Sequence, residues 1–285
     1  MEYECVIIGG GVAGLAAAMV LARARRRVLL LDSGRQNNLR TSHSGGVFLH
    51  DGGTPAAMYE AGLRQLRAYP TFSYRQETVV EAQANDGGGF GLLTASGRTE
   101  QARTLVLAQG VDYEPSPVPG VDALWGTKVV HCPFCDGYES RNLRVLALGE
   151  PEWLEHMREI LPNWVDDIAW ADPSEVARLD GGGQDDGPVV VSFSDGRQAE
   201  FGRVFAQQKF RLRDGIADML GCGRTGSGDL ETDPRGLTTV PGVFAAGDQT
   251  TGAQQVNLAI GSGHAAGMGA VFALSAARRA AASAS

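Results

Sequence analysis

The hydrophobic pattern opens with an unbroken apolar stretch around "YECVII", residues 3 to 8, instead of alternation or helical spacing. Such a run ahead of glycines reads as a strand covered on both faces, as in a parallel sheet. "GGGVAG" follows, then an Ala-rich segment with helical spacing, and then "RVLLLD", a second buried strand ending at Asp32. The opening is therefore strand, glycine turn, helix, strand. A helix is predicted across Pro55 to Ala68, with short strands over Thr78–Ala84 and Gly89–Ala95. "TLVLAQG", residues 104 to 110, returns to the sheet, and "VDYEPSPVPG" carries the proline density of a domain crossing.

Beyond that crossing the pattern predicts something smaller. It contains a strand "RVLALG", a helix over Trp153–Leu161 and a strand "DIAWAD". An acidic glycine-rich loop from Asp180 to Gly187 precedes strands "VVVSFS" and "RVFAQQ". A second crossing, "ETDPRGLTTVPG", leads into "VFAAGD" and a final helix rich in Gly and Ala, and "AASAS" reads as a frayed tail. The expected fold is α/β with two domains. A Rossmann-like domain of residues 1–113 and 234–285 is interrupted by a shortened domain of residues 114–233.

Composition narrows the function classes. A chain of 285 residues can bury two cores, and 43% hydrophobic content with mixed charge predicts a soluble globular protein. A formal charge of −8 argues against a nucleic-acid surface, which needs a basic face. The basic cluster Arg23 to Arg27 ends a predicted helix, where it complements the dipole. No uninterrupted apolar run of membrane-spanning length stands out, and the N-terminus lacks a signal-peptide layout. The expectation is a cytoplasmic protein that engages neither membrane nor nucleic acid.

Gly9-Gly10-Gly11-Val12-Ala13-Gly14 matches G-x-G-x-x-G in the context that gives the motif meaning. It follows a strand, opens a helix and is followed by Asp32 at the end of the next strand. Gly9, Gly11 and Gly14 allow the tight turn, the approach of a pyrophosphate and close helix packing, with Val12 and Ala13 opening the helix beneath it. Asp32 is placed to hold ribose hydroxyls.

"HCPFCDGYE", residues 131 to 139, sets two cysteines two residues apart between an imidazole and a carboxylate. Zinc needs four ligands, and Cys132, Cys135 and His131 supply at most three, so no metal is expected. A redox dithiol fits better, because C-x-x-C spacing can close a small disulfide ring and lower one thiol's pKa. Asp136 can carry the proton that thiolate chemistry loses or regains. Cys5, in the first strand, reads as a buried inert thiol, and Cys222 has no identifiable partner.

"VPGVFAAGDQTTGAQQV" and the glycine motif together make the chain resemble the FAD-dependent pyridine nucleotide-disulfide oxidoreductases. That resemblance implies non-covalent FAD, with Gly247 and Asp248 on its ribityl and pyrophosphate portion and Gln255 and Val256 beside the ring. It also places Gly110 of "LAQG" in the strand closing the FAD domain. "HCPFCDGYE" within an inserted domain resembles the low-molecular-weight thioredoxin reductase group. This implies that Cys135 faces the flavin, Cys132 attacks the partner and Asp136 is the acid–base. "GRQNNLRTSHSGGVFLHDG", residues 34 to 52, is similar to a branch containing gliotoxin-type dithiol oxidases. There Asn38, a cofactor-binding candidate, His43, Asp51 and Gly52 match, while Gln36 and Asn37 replace the usual proline and arginine. The family also implies a homodimer, for which a small-residue helix surface over Ala259–Ala270 is the chain's own hint.

A nicotinamide site is what the inserted domain lacks. Its strand feeds "VLALGEPEWLEHM", where Glu150, Pro151 and Glu152 fill the expected glycine loop. Carboxylates repel a pyrophosphate, and proline removes a donating amide. The expectation is electron exchange between FAD and the Cys132–Cys135 pair without NADPH. The substrate is a thioredoxin-like protein or a small dithiol, and the redox partner is ferredoxin, another flavin or oxygen. Some relatives of this kind hold a second flavin near the disulfide, and Trp125, Trp153, Trp164 and Trp170 offer rings for one or serve as core. The alternatives are an ordinary NADPH-dependent thioredoxin reductase and a non-catalytic flavin-binding module.

Overall fold

The computed structural model describes residues 3–181 and 187–283. Two compact units emerge. One comprises the segment up to Gln36, Ala56–Asp112 and the segment from Leu212, and the other comprises Asn37–Pro55 and Tyr113–Arg211. The first begins with β1 (Tyr3–Ile8), α1 (Val12–Arg23) and β2 (Val28–Asp32). It resumes with α2 (Pro55–Leu66), β3 (Phe72–Gln76), β4 (Val79–Ala84), β5 (Phe90–Thr94), β6 (Thr99–Leu107) and the crossing strand β7 (Val111–Tyr113). The second carries α3 (Val121–Leu124), β8 (Val129–Val130), α4 (Pro133–Ser140), β9 (Val145–Leu148), α5 (Pro151–Ile160) and β10 (Ile168–Ala171). It continues with β11 (Val176–Gly181), β12 (Val189–Phe193), β13 (Gln198–Phe201) and β14 (Arg203–Ala206). The return runs through β15 (Phe210–Leu212), α6 (Gly215–Leu220), β16 (Val243–Ala245) and α7 (Val256–Ser283).

In the first unit, β3, β2, β1 and β6 form a parallel sheet that continues antiparallel through β5 and β4. Strand β6 serves two partners on one side. Its first half pairs with β5 and its second half, at Leu105 and Leu107, with β16. Period-two alternation divides the core: Cys5 and Ile7 face α1 and α7, while Val6 and Ile8 face α6 and the β4–β5 hairpin. Cutting Leu30, which is fully buried, to Ala is expected to cost about 2–5 kcal/mol. Cys5 is the inert thiol the sequence predicted, pushed up to about 12 by burial.

The small residues of α7 pack on α1 within the same unit. A Cβ on Gly263 would stand 2.1 Å from the Ala13 carbonyl oxygen, and one on Gly267 2.8 Å from that of Ala17. The stripe read from sequence as a dimer hint is thus an intramolecular seam. By length and composition α7 is also apolar enough to cross a membrane, although Asn257, Ser262 and His264 interrupt its apolar run. Its apolarity reflects the Ala and Gly residues of that seam, among them buried Ala259, Ala266 and Ala270.

The second unit has a parallel sheet ordered β10, β9, β14, β8 and an antiparallel three-stranded sheet, β11 to β13. Leu146 and Leu148 face the antiparallel sheet, while Val145 and Ala147 face α5. The crossing strands β7 and β15 pair with each other.

The sequence reading did not include β3, β7, α3, β8, α4, β11, β13, β15 and α6. Its second crossing lay near residue 233, whereas the compact division falls at 211–212. The reason is that Ile216, Ala217, Cys222 and Leu230 join the core of the large sheet. Of the tail expected to fray, Ala281–Ser283 are helical, and residues 284–285 lie outside the described residues. Most of the predicted acidic loop, residues 182–186, also lies outside them.

Candidate active site

The first unit presents its motif at the carboxyl ends of β1 and its neighbours, where strand order switches from β2 on one side to β6 on the other. Gly9 has φ 109°, and a Cβ there would lie 2.2 Å from the Ala108 carbonyl oxygen. A Cβ on Gly14 would lie 1.9 Å from that of Gly9. Gly11, the N-cap of α1, differs: a Cβ there meets nothing within 4 Å, and no side chain caps the helix. Open space over an uncapped helix N-terminus, with Val12 and Ala13 in its first turn, fits a dinucleotide pyrophosphate.

Asp32, almost wholly buried, accepts hydrogen bonds from the Gly10 and Gly34 amides at 3.1 Å each. Gln36 Nε2 donates to the same carboxylate, at 2.9 Å to one oxygen. Gln36, which stands where the resembled branch has proline, thus donates to the Asp32 carboxylate. Across the sheet end, Gly247 has φ 76° and its amide donates to Ser262 Oγ at 3.0 Å. Burial pushes the neighbouring Asp248 carboxyl up to about 6, with Arg213 opposing the shift. Gln255 and Val256 stand where α7 begins, and Gly110 follows β6 with φ 70°.

Sequence reasoning missed the network that fixes this edge. Arg213 Nε binds Asp112 at 2.7 Å, its Nη1 donates to the Arg35 carbonyl at 2.8 Å, and its amide donates to the Gly110 carbonyl. Gln249, fully buried, donates to the Arg213 carbonyl and accepts from the Gln109 amide. Nothing in "FRLRDG" distinguishes Arg213 from other arginines. Asn38 does not join this set within its unit. It belongs to the second unit, in a short 3-10 turn where its carbonyl accepts from Thr41.

The dithiol sits in the second unit at the start of α4. Cys132 is the N-cap, Pro133 occupies the first turn, and the amides of Cys135 and Asp136 both donate to the Cys132 carbonyl at 3.1 Å. Cys132 is buried and Cys135 half-buried. A helix N-terminus favours the thiolate form at such a position. Asp136 lies in the first turn of α4, four residues beyond Cys132. Burial raises the Asp136 carboxyl above the ordinary range, opposed by Arg203 and His43, so it is suited to hold a proton. His131 stacks on Trp125 with centroids 5.5 Å apart, and burial lowers it to about 4, leaving it neutral near pH 7. Among the described residues no cluster of three or more potential metal ligands occurs.

Each tryptophan is engaged in packing within this unit. Trp164 lies against Gly137 and edge-on to Phe134, Trp153 covers Gly149, and Arg158 stacks on Trp170.

At the carboxyl ends of β9 and β14 lies a cleft of about 80 Å³, bordered by Glu150, Pro173, Gln207 and Lys209. Ligand pockets usually run to roughly 300–1,000 Å³. The Glu150 amide already donates to Gln207 Oε1 at 2.8 Å, and Lys209 Nζ binds the Glu150 carboxylate at 2.6 Å. Pro151 opens α5, and Trp153 packs where a side chain on Gly149 would go. Asp172, after β10, closes a capping box with Glu175.

The sequence model for pyridine nucleotide-disulphide oxidoreductases matches residues 3–157, more than half of the chain. The chain belongs to that family. It is an FAD-dependent disulfide oxidoreductase of the thioredoxin reductase-like group. It is 30% identical to thioredoxin reductase tcpT of Claviceps purpurea, across 93% of this chain and 92% of that one. An oxidoreductase structure from Agrobacterium tumefaciens is 31% identical, with TM-score 0.86 over 95% of this chain and 97% of that one. The structure of HlmI is 30% identical, with TM-score 0.90 over 100% and 98%. The expected two-domain Rossmann-like fold is shared with these structures, and family membership makes FAD the cofactor that the Gly9–Gly14 cradle fits.

Proposed function

We propose that this enzyme exchanges electrons between non-covalently bound FAD and the Cys132–Cys135 dithiol, and that it does so without NADPH. The observation that carries this reading is the Glu150 amide spent on Gln207, at the turn where a nicotinamide dinucleotide would place its pyrophosphate. Pro151, the Lys209–Glu150 ion pair and the acidic start of α5 act in the same direction. Losing two or three charge-assisted hydrogen bonds of about 1.5–3 kcal/mol each weakens binding by roughly a thousandfold or more.

In this reading Gly9, Gly11, Val12, Ala13, Gly14, Asp32, Gly110, Gly247, Asp248, Gln255 and Val256 hold the flavin. FAD supplies a two-electron acceptor or donor. Cys135 is the thiol exchanging electrons with it, Cys132 forms the mixed disulfide with the partner, and Asp136 handles the Cys132 proton. The partner is a thioredoxin-like disulfide protein or a small dithiol; similarity to a Claviceps purpurea thioredoxin reductase supports the former. The source or sink of electrons on the other side is ferredoxin or oxygen, and the working form is a cytoplasmic homodimer.

Anaerobic stopped-flow mixing tests this. Dithiothreitol should bleach the flavin in the parent and not in Cys132→Ser or Cys135→Ser. Millimolar NADPH should leave it oxidised for minutes. Bleaching by NADPH within a second would replace this reading with an ordinary NADPH-linked reductase.

A further inference from the structure

Two half-buried side chains, an imidazole and a guanidinium, converge on one Asp136 oxygen beside the dithiol. His43 Nε2 stands 3.6 Å from Asp136 Oδ1, and Arg203 Nη1 stands 3.8 Å from the same atom. They come from different places, the loop after the 37–40 turn and the start of β14. Among the described residues His43 Nε2 and Arg203 Nη1 have no hydrogen-bond partner although both atoms are buried. Orphaned buried donors are costly, and catalytic hydrogen bonds often tighten only when the reaction is engaged. A closure of a few tenths of an ångström would satisfy both with the Asp136 carboxylate.

We propose that His43 is the positioning residue through which the dithiol's proton leaves Asp136 for solvent, with Arg203 holding the carboxylate between them. The proposal rests on the Cys132–Cys135 pair being the redox dithiol. Closing that pair breaks two S–H bonds and forms one S–S bond. Two electrons and one proton go to the bound FAD, and the second proton, from Cys132, must reach water. Cys132 is buried, and the Asp136 amide donates to its carbonyl at 3.1 Å. The Asp136 side chain is 14% exposed and that of His43 25%, so the imidazole is the more open of the two. Imidazole is also the side chain type whose charge changes between pH 5 and 8. The charged groups acting on Asp136 are Arg203 from β14, His43 from the loop and Glu139 from α4 itself. A proton on the imidazole favours the Asp136 carboxylate.

Arginine cannot substitute in this role. It keeps its proton at every working pH, so Arg203 orients and His43 delivers.

The test uses the purified holoprotein. In Cys135→Ser, the iodoacetamide alkylation rate of Cys132 between pH 5 and 9 should show an inflection from Asp136 and His43 in addition to the thiol's own. Adding His43→Gln should remove that inflection. In the otherwise intact enzyme, His43→Gln should slow flavin reduction by dithiothreitol about 10- to 100-fold, partly restored by free imidazole in His43→Gly. Superimposable alkylation profiles with and without His43, at equal melting temperature, would overturn the proposal. Should the His43 variants not fold, Cys132 alkylation in Cys135→Ser with and without Asp136→Asn decides instead. Losing the carboxylate should remove the same inflection, and an unchanged profile defeats the idea. Flavin reduction by dithiols that survives Cys132→Ser would instead defeat the underlying dithiol reading.

Discussion

The backbone of Gly45 lies directly on the backbone of Cys135: a Cβ on Gly45 would stand 1.9 Å from the Cys135 carbonyl oxygen. The 37–55 segment, early in the chain, therefore seats itself on the redox helix, and it packs with the second compact unit. Gly46, at φ 69°, continues the contact toward the Phe134 carbonyl.

Gly45→Ala is accordingly expected to push this loop off α4. The added methyl meets backbone, which cannot swing aside, so the cost is about 1–3 kcal/mol. His43, two residues away, should move with the loop. A lower melting temperature together with faster alkylation of Cys135 is the expected pair of results. An unchanged melting curve would show that the loop yields freely.

The glycine turn makes a sharper forecast, because its glycines differ in what surrounds them. Gly14→Ala drives a methyl into the Gly9 carbonyl at 1.9 Å and should impair folding with or without flavin. Gly11→Ala adds a methyl to open space at an ordinary φ of −66°, so the flavin-free protein should melt within about 0.5 kcal/mol of the parent. FAD affinity should nevertheless fall tenfold or more, since that space is the proposed seat of the pyrophosphate. Equal affinity by fluorescence titration would remove Gly11 from the binding site.

Gly137 tests the packing beneath the dithiol. A Cβ there would lie 2.7 Å from the Trp164 ring, so Gly137→Ala should tilt α4 or displace the indole at a cost of about 1–3 kcal/mol. Trp164→Ala in the same background should recover part of that loss. A double variant no better than Gly137→Ala alone would mean that the clash is relieved elsewhere.

Much of the fold and the motif chemistry is legible because they rest on local signals. β1 and β2 are unbroken apolar runs, the glycine turn lies between them, and the C-x-x-C pair is contiguous. What escaped is carried by distant, chemically ordinary residues. β3 is an edge strand of half-buried positions with Arg75 and Gln76 at its end, so no apolar run marks it. α4 was hidden because Cys132, Pro133 and Gly137 are weak helix signals, although proline suits a first helical turn. Arg203 reaches Asp136 across 67 positions in the chain, and Gln36 reaches Asp32 only through the turn made by Gly34. Spacing cannot announce such pairs. The Ala259–Ala270 stripe taught the converse: small residues predict close packing without naming the partner, which proved to be α1.

Asp248 supplies the last prediction. In the flavin-free protein burial raises its carboxyl from an ordinary 3.8 to about 6. A raised folded-state value means that the folded chain holds the proton more tightly than the unfolded chain. The associated stability is fully present below about 3.8 and is lost as pH climbs through about 6. Above that range the buried carboxylate costs up to about 3 kcal/mol, at 1.36 kcal/mol per pH unit, with Arg213 nearby partly offsetting the burial. Asp248→Asn removes the titration while keeping the shape. The flavin-free variant should therefore melt higher than the parent at pH 7.5, and the difference should shrink steadily as pH falls from 6 toward 4. FAD retention should weaken at every pH, because the carboxylate is a proposed acceptor for the cofactor's ribityl portion. Flavin-free melting curves for parent and variant that keep the same separation from pH 4 to 7.5 would show that Asp248 does not titrate in this window.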